Sequence, residues 1–375
     1  MSIKQMRTWA EVSEAALVTN INVIKRYAAK KSNADTSSSA AFLGVVKADA
    51  YGHGAPWAAR ILEREGARYL AVAMLSEALE LRETGVTAPI LILGVTPPER
   101  LFVSDLLYYD LTQTVADHDT ALAYSVIARS YGKNLKCHLK LDTGMGRLGF
   151  TEEQNAVSAL RLPNLYFEGV FTHFAVSDVP DGGDYTRHQF ERFAARVGEL
   201  ERAQRRPFAL RHCANTGGTM DYASTRLDMV RPGIMLYGYP RSAEGLQPVM
   251  ELKSRIAQIK TLKAGESVSY GRRFTAERET RIAIMPCGYA DGLSRALTNK
   301  LTVRINGQTV HQIGTICMDM CMLDVTDAPD VKVGDVATIF GREHGFTAED
   351  IADTRGSISY EVLCNVAHRV PRVYV

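Results

Sequence analysis

Residues 42–55 read FLGVVKADAYGHGA. The run Phe42–Val46 is apolar without a break, the pattern of a strand buried on both faces. Lys47 closes the run, so it emerges where a buried strand meets a loop. A lysine there is partly desolvated, which favours the neutral amine that acts as nucleophile or base. The next segment, ADAYGHGA, is turn-rich and then becomes helical, and its glycines let backbone approach a ligand closely.

Seven further strand-like runs follow. They end at Ala73 (YLAVA), Gly94 (ILILG), Thr114 (DLTQT), Asp142 (CHLKLD), His173 (GVFTH), Asn215 (LRHCAN) and Pro232 (LDMVRP). Helical patterns separate most of them. Leu17, Ile21, Ile24 and Ala28 recur at helix spacing behind Ser13, an N-cap residue type, and 184–205 reads as an amphipathic helix. Eight strands alternating with helices predict a (β/α)8 TIM-like barrel, with a doubly wound open sheet as the alternative. In such a barrel the chemistry sits at the C-terminal strand ends, where Lys47, Lys140, His173, Asn215 and Arg231 fall.

The pattern changes near residue 245. LTVRI and QTVHQI flank Asn306-Gly307, a strong hairpin signal. ICMDMCMLDV, and VATIF after a Val-Gly-Asp turn, continue the β character. The expected domains are 1–245, a barrel, and 246–375, a smaller, mainly β domain, with the first ten or so residues free to pack with the second.

Composition excludes several classes. Forty-four basic against 42 acidic residues leave a net charge of +2 and no basic face for nucleic acid or lipid. No run approaches a membrane span, and the N-terminus carries no signal-peptide core, so a cytoplasmic protein is expected. Six scattered cysteines, the closest pair (Cys317 and Cys321) not CxxC and followed by no second Cys or His pair at zinc spacing, predict free thiols and no metal. Gly144, Gly146 and Gly149 spell GxGxxG after a predicted strand. No acid ends the next strand, and four βα units precede the motif, so a dinucleotide site is not expected.

VVKADAYGHGA (45–55) resembles the cofactor-lysine motif of the alanine racemase family. The resemblance continues in KLDTGMGRLGF (140–150), THFA (172–175), NTGG (215–218), VRPGIMLYG (230–238), VSYGRRF (268–274), GYADG (288–292), ICMDM (316–320) and SYEVLC (359–364), in family order. It implies a pyridoxal 5'-phosphate (PLP) enzyme that interconverts L-alanine and D-alanine through an external aldimine, supplying D-alanine for peptidoglycan. Lys47 would hold the cofactor, and Lys47 and Tyr270 would be the two proton-transfer bases. Tyr51, Asn215, Thr216, Gly233, Ile234 and Tyr360 would surround the cofactor, mostly at its phosphate. Arg231, backed by His173, would face the ring nitrogen. Arg147 would lie near the cofactor's phenolic oxygen and, with Met318, meet the substrate, and Lys140 matches a position often carbamylated. Asp178, Tyr289, Arg295 and Ile358 would line the entry path. Tyr270 and Met318 would come from the partner of a homodimer. Thr315 departs from the family, where an arginine is common. A racemase for serine or another amino acid, a fold-related PLP decarboxylase and a single-domain PLP carrier are the alternatives.

Overall fold

A computed structural model describes residues 5–29 and 39–375, which divide into two compact units. One holds 20–50 and 55–236, the other 5–19, 51–54 and 237–375. Chain-order strands are β1 (Thr8–Val12), β2 (Ala41–Val45), β3 (Tyr69–Val72), β4 (Ile90–Ile92), β5 (Thr112–Val115), β6 (Leu135–Lys140), β7 (Leu165–Phe171), β8 (Leu210–His212) and β9 (Met229–Val230).

Strands β2 to β9 form one parallel sheet in the order β8-β7-β6-β5-β4-β3-β2-β9. The two ends of that sheet meet. Asp228 N–H donates to the Arg211 carbonyl at 3.1 Å, and Arg231 N–H donates to the Ala214 carbonyl at 2.8 Å. The sheet therefore closes into the (β/α)8 barrel, and the open-sheet alternative falls. Closure leaves no strand edge exposed. The helices are α1 (Glu14–Ala29), α2 (Ala55–Arg64), α3 (Leu75–Glu83), α4 (Arg100–Tyr108), α5 (His118–Ser130), α6 (Glu153–Leu160), α7 (Gly183–Gln204) and the short α8 (Thr216–Asp221). Ser13 caps α1 by accepting the Ala16 N–H, as its residue type predicts.

The second unit is built on a nine-stranded sheet. Its strands are β10 (Met250–Arg255), β11 (Gln258–Leu262), β14 (Thr280–Met285), β15 (Thr302–Ile305), β16 (Gln308–Ile313), β17 (Cys321–Asp324), β18 (Val336–Phe340) and β19 (Arg372–Tyr374), joined by β1 between β10 and β19. A small ribbon pairs β12 (Ser267–Val268) with β13 (Phe274–Thr275). Asn306 (φ 50°) and Gly307 (φ 75°) make the expected left-handed hairpin turn. Two local readings differ. ICMDMCMLDV is strand only from Cys321, and 314–320 is a loop. Two helices, α9 (Ala348–Arg355) and α10 (Ser359–Cys364), interrupt the β character. Thr347 and Asp350 cap α9 at its start, and Gly356 ends it in the left-handed region.

The closing seam is clasped from outside its ladder. The Asp228 carboxylate accepts both the Arg211 backbone N–H and its Nε, each at 2.8 Å. Asp228→Ala is expected to lower stability by about 1–3 kcal/mol. Urea unfolding should show a lower midpoint with an unchanged slope. An unchanged midpoint would mean that the ladder closes the barrel unaided.

Candidate active site

The barrel's C-terminal strand ends gather four cations: Lys47, Lys140, Arg147 and Arg231. Arg231 organises them. It is buried, and its NH2 donates to the carbonyls of Thr172 (2.7 Å) and Cys213 (3.1 Å) and lies 3.4 Å from His173 Nδ1. Its NH1 meets His212 Nδ1 at 3.0 Å. No carboxylate is among these partners. Burial lowers the Arg231 pKa to about 10, and the group remains a cation near neutral pH.

An arginine only donates, so His212 Nδ1 must be the unprotonated nitrogen. His212 then carries its proton on Nε2 and donates to His138 Nδ1, 2.9 Å away. His138 must in turn hold its proton on Nε2, which is buried with no hydrogen-bond partner. Two neutral imidazoles thus extend the arginine's donor chain from β9 through β8 to β6. Burial and the Arg231 charge hold both below the usual histidine range, His138 at about 3. His173 is lowered by burial and by Arg231, Arg147, Lys140 and Lys47.

Lys140 is buried two residues beyond His138, on the same face of β6. Burial, then Arg147 and Arg231, bring its pKa down to about 8, so about a tenth is free amine at pH 7. Asp142 opposes these cations, but with a smaller effect than Arg147 or Arg231. Its carboxylate accepts the backbone N–H groups of Gly144, Met145, Gly146 and Arg147 at 2.9–3.2 Å. These bonds lower its pKa against the opposing effect of burial. They also account for the GxGxxG pattern. Gly144, Gly146 and Gly149 all have positive φ because the loop wraps the Asp142 carboxylate. A Cβ on Gly149 would come within 2.5 Å of the Asp142 nitrogen.

Lys47 is half-buried and opens an unusual segment. The turn Lys47–Gly52 is wound left-handed, with φ of 54°, 53°, 54° and 54° at Ala48, Asp49, Ala50 and Tyr51. The sequence reading gave a turn here but not its hand. Left-handed winding costs roughly 1–2 kcal/mol per L-residue, and four in succession require specific support.

The other site residues lie as follows. The Asn215 side-chain oxygen caps α8, accepting Gly218 N–H (3.0 Å) and the Ser177 hydroxyl (2.7 Å). Thr216 is buried, and its hydroxyl accepts the Gly233 N–H at 3.3 Å. Ile234 opens a buried 3-10 turn, Ile234–Tyr237. Arg147 and Asp178 are exposed. Within the second unit, Tyr51 is buried beside Tyr237 (ring centroids 4.9 Å) and Tyr360 (5.7 Å). Tyr270 is 71% exposed, and Tyr289, Arg295, Met318 and Ile358 are exposed too. Thr315 is buried, and its hydroxyl donates to the Tyr270 carbonyl at 2.7 Å while its own carbonyl accepts the Ser269 hydroxyl. In this chain the position supports the Tyr270 backbone. Sequence reasoning missed His138 and His212. The period-2 spacing of His138 and Lys140 in β6 was the available signal. Among the described residues, no cluster of metal-ligating side chains and no helix long and apolar enough to cross a membrane is present.

A closed barrel with a cationic, carboxylate-poor mouth, joined to a β-rich unit, defines a two-domain barrel enzyme suited to an anionic ligand. Comparison with known proteins makes the class specific. Residues 12–241 match the family model for the alanine racemase N-terminal domain, and 249–374 match the C-terminal domain model. Alanine racemase 1 of Clostridium acetobutylicum is 43% identical, covering 98% of this chain and 95% of its own. Alanine racemase of Desulforamulus reducens is also 43% identical, covering 98% of both. The solved alanine racemase of Clostridium difficile 630 superposes with a TM-score of 0.90 at 40% identity, over 99% of this chain and 96% of that one. The chain belongs to the alanine racemase family. A match through both domains sets aside the fold-related decarboxylase and the single-domain carrier.

The buried His138 and His212, and the half-buried His173, make stability pH-dependent. Their folded pKa values lie below the unfolded value of about 6.5, so below that pH the unfolded chain binds protons that the folded chain refuses. Stability is therefore full above about pH 6.5 and declines as pH falls toward the folded values. Between pH 7 and pH 5 each of His138, His173 and His212 is expected to contribute a loss of up to about 2 kcal/mol. Urea unfolding of the ligand-free protein across this range reads the effect. A flat profile would show these rings already protonated or exposed.

Proposed function

We propose that this protein is a PLP-dependent alanine racemase, acting in the cytoplasm as a homodimer with shared active sites and supplying D-alanine for peptidoglycan. The observation that carries the proposal is Arg231, a buried cation whose protein partners are all neutral acceptors. That donor set suits a ligand presenting an acceptor, such as a pyridine nitrogen, and the surrounding cations suit a phosphate and a substrate carboxylate. When bound, PLP supplies the electron sink that makes an amino acid's α-proton acidic.

The chain's own residues do the rest. Lys47 would hold the cofactor through its Nζ while no substrate is bound, and the freed amine would move a proton at Cα on one face. The Tyr270 hydroxyl moves a proton on the other. Arg231 is a fixed donor with no proton to surrender, so its acceptor stays unprotonated. His173 backs it. Thr216, the backbone N–H groups of Thr216, Gly233 and Ile234, and the hydroxyls of Tyr51 and Tyr360 are assigned to the phosphate, with Asn215 shaping their loop. Arg147 and Met318 are assigned to the substrate. Lys140, with its lowered pKa, is the candidate for a carbamate that would orient Arg147. Asp178, Tyr289, Arg295 and Ile358 are assigned to the entry path.

The partner's role is supported by exposure. Tyr270, Met318, Tyr289 and Ile358 are exposed on the β-rich unit and so are accessible to a second copy of the chain. The test is complementation with a chiral assay against alanine, serine and other common amino acids. Lys47→Ala and Tyr270→Ala proteins should each be nearly inactive on alanine. Refolded together, they should recover up to about a quarter of the parent activity, because half the dimers are mixed and each has one intact site. No recovery would place both residues in one chain, and turnover of another amino acid in preference to alanine would overturn the substrate.

A further inference from the structure

The strained turn behind Lys47 needs an anchor, and the structure provides one that no role above includes. The Glu77 Oε1 accepts the N–H of Ala48, the first left-handed residue, at 2.7 Å. Its Oε2 accepts the N–H of Ala73 at 2.6 Å and lies 3.4 Å from that of Met74. One carboxylate thus ties the residue after Lys47 to the end of β3, the strand paired in parallel with β2. The far end of the turn is tied as well. The Ala50 N–H donates to the Val46 carbonyl at 2.8 Å, and the Asp49 carboxylate accepts the Ala55 N–H at 2.7 Å. The Gly52 carbonyl accepts the Arg372 Nε of β19 at 2.9 Å, and Glu77 is the tie to a neighbouring strand at the Lys47 end. A carboxylate suits the task because each of its oxygens accepts and its charge strengthens both bonds. A glutamine in its place offers one oxygen and one donor, so it can hold only one side.

We propose that Glu77 is a positioning residue for Lys47: it holds the left-handed turn from which the Lys47 amine is presented. The proposal rests on the reading of Lys47 as the cofactor lysine. The rival account is that Glu77 merely caps α3, in which case its loss would weaken the protein without singling out the turn.

The two accounts separate in hydrogen exchange and in a double variant. Glu77→Ala in the full-length holoenzyme is expected to speed exchange at the amides of Ala48 and Ala50 by about tenfold or more, the scale of one lost charged-acceptor bond. Amides of β6 should stay within about twofold of the parent. The turnover number for alanine should fall by about tenfold while KM moves less than about threefold. Glu77→Gln should behave in the same direction and serves if the alanine variant folds poorly.

The decisive variant adds Ala48→Gly. Ala48 is exposed, so glycine leaves no cavity, and glycine adopts positive φ without the cost an L-residue incurs. In the Glu77→Ala background it should recover turnover several-fold. Unchanged exchange at Ala48 and Ala50, a uniform rise throughout the barrel, or no recovery with glycine would each overturn the proposal. Borohydride reduction followed by peptide mapping isolates the underlying reading. An adduct on a lysine other than Lys47 would remove the cofactor assignment, while the exchange data would still decide whether Glu77 holds the turn.

Discussion

A cation buried among neutral acceptors sets the terms for the rest of this structure. Arg231 is folded into the barrel mouth with two carbonyls and two imidazoles around it and no carboxylate among its partners. Burying a charge costs several kcal/mol unless hydrogen bonds replace its hydration. Here the replacements come from the ends of β7 and β8 and from two histidines. The same bonds that keep the charge tolerable tie together the strand ends on which the chemistry is placed. A carboxylate partner would have lowered the cost further. It would also have neutralised the field that favours an acceptor and an anion at the site.

The consequences run down the barrel. Because arginine cannot accept, the proton order along Arg231, His212 and His138 is dictated from one end, and the chain terminates in a buried donor without a partner. Phe171 stacks on His212 with ring centroids 4.9 Å apart, and the bare Cα of Gly169 makes room for the His138 ring. A Cβ on Gly169 would lie 2.7 Å from the His138 ring. The barrel interior is thus packed around a polar column whose neutrality at working pH is a condition of stability.

Strain on one side of the mouth complements rigidity on the other. The turn after Lys47 is held in a conformation that alanine, aspartate and tyrosine disfavour, and carboxylates at either end hold it there. Asp142 shows the same device in a milder form, its carboxylate gathering four backbone N–H groups so that a glycine-rich loop folds around it. In both loops a carboxylate gathers backbone N–H groups and fixes the loop's path.

Much of this was legible in the chain. Apolar runs ending in Lys47, Lys140, His173 and Arg231 give a barrel with chemistry at its strand ends, because periodicity and strand termination are local properties. The Asn306-Gly307 hairpin and the Ser13 cap are local in the same sense. Family motifs named the residues to watch, and Thr315 stood out as a departure. What the sequence could not supply depends on atoms distant along the chain. Closure of the sheet is decided by bonds from β8 to β9 that a pattern of runs cannot distinguish from an open edge. The left hand of the turn at Ala48–Tyr51 contradicts the local preference of its residues and is supported by bonds from outside it, among them that from Glu77, 29 positions on, which accepts the Ala48 N–H. The proton order of the histidines follows from Arg231, 19 and 93 residues beyond His212 and His138. Local preference writes the elements. The burial of charge and the payment of strain are settled only when the strands come together.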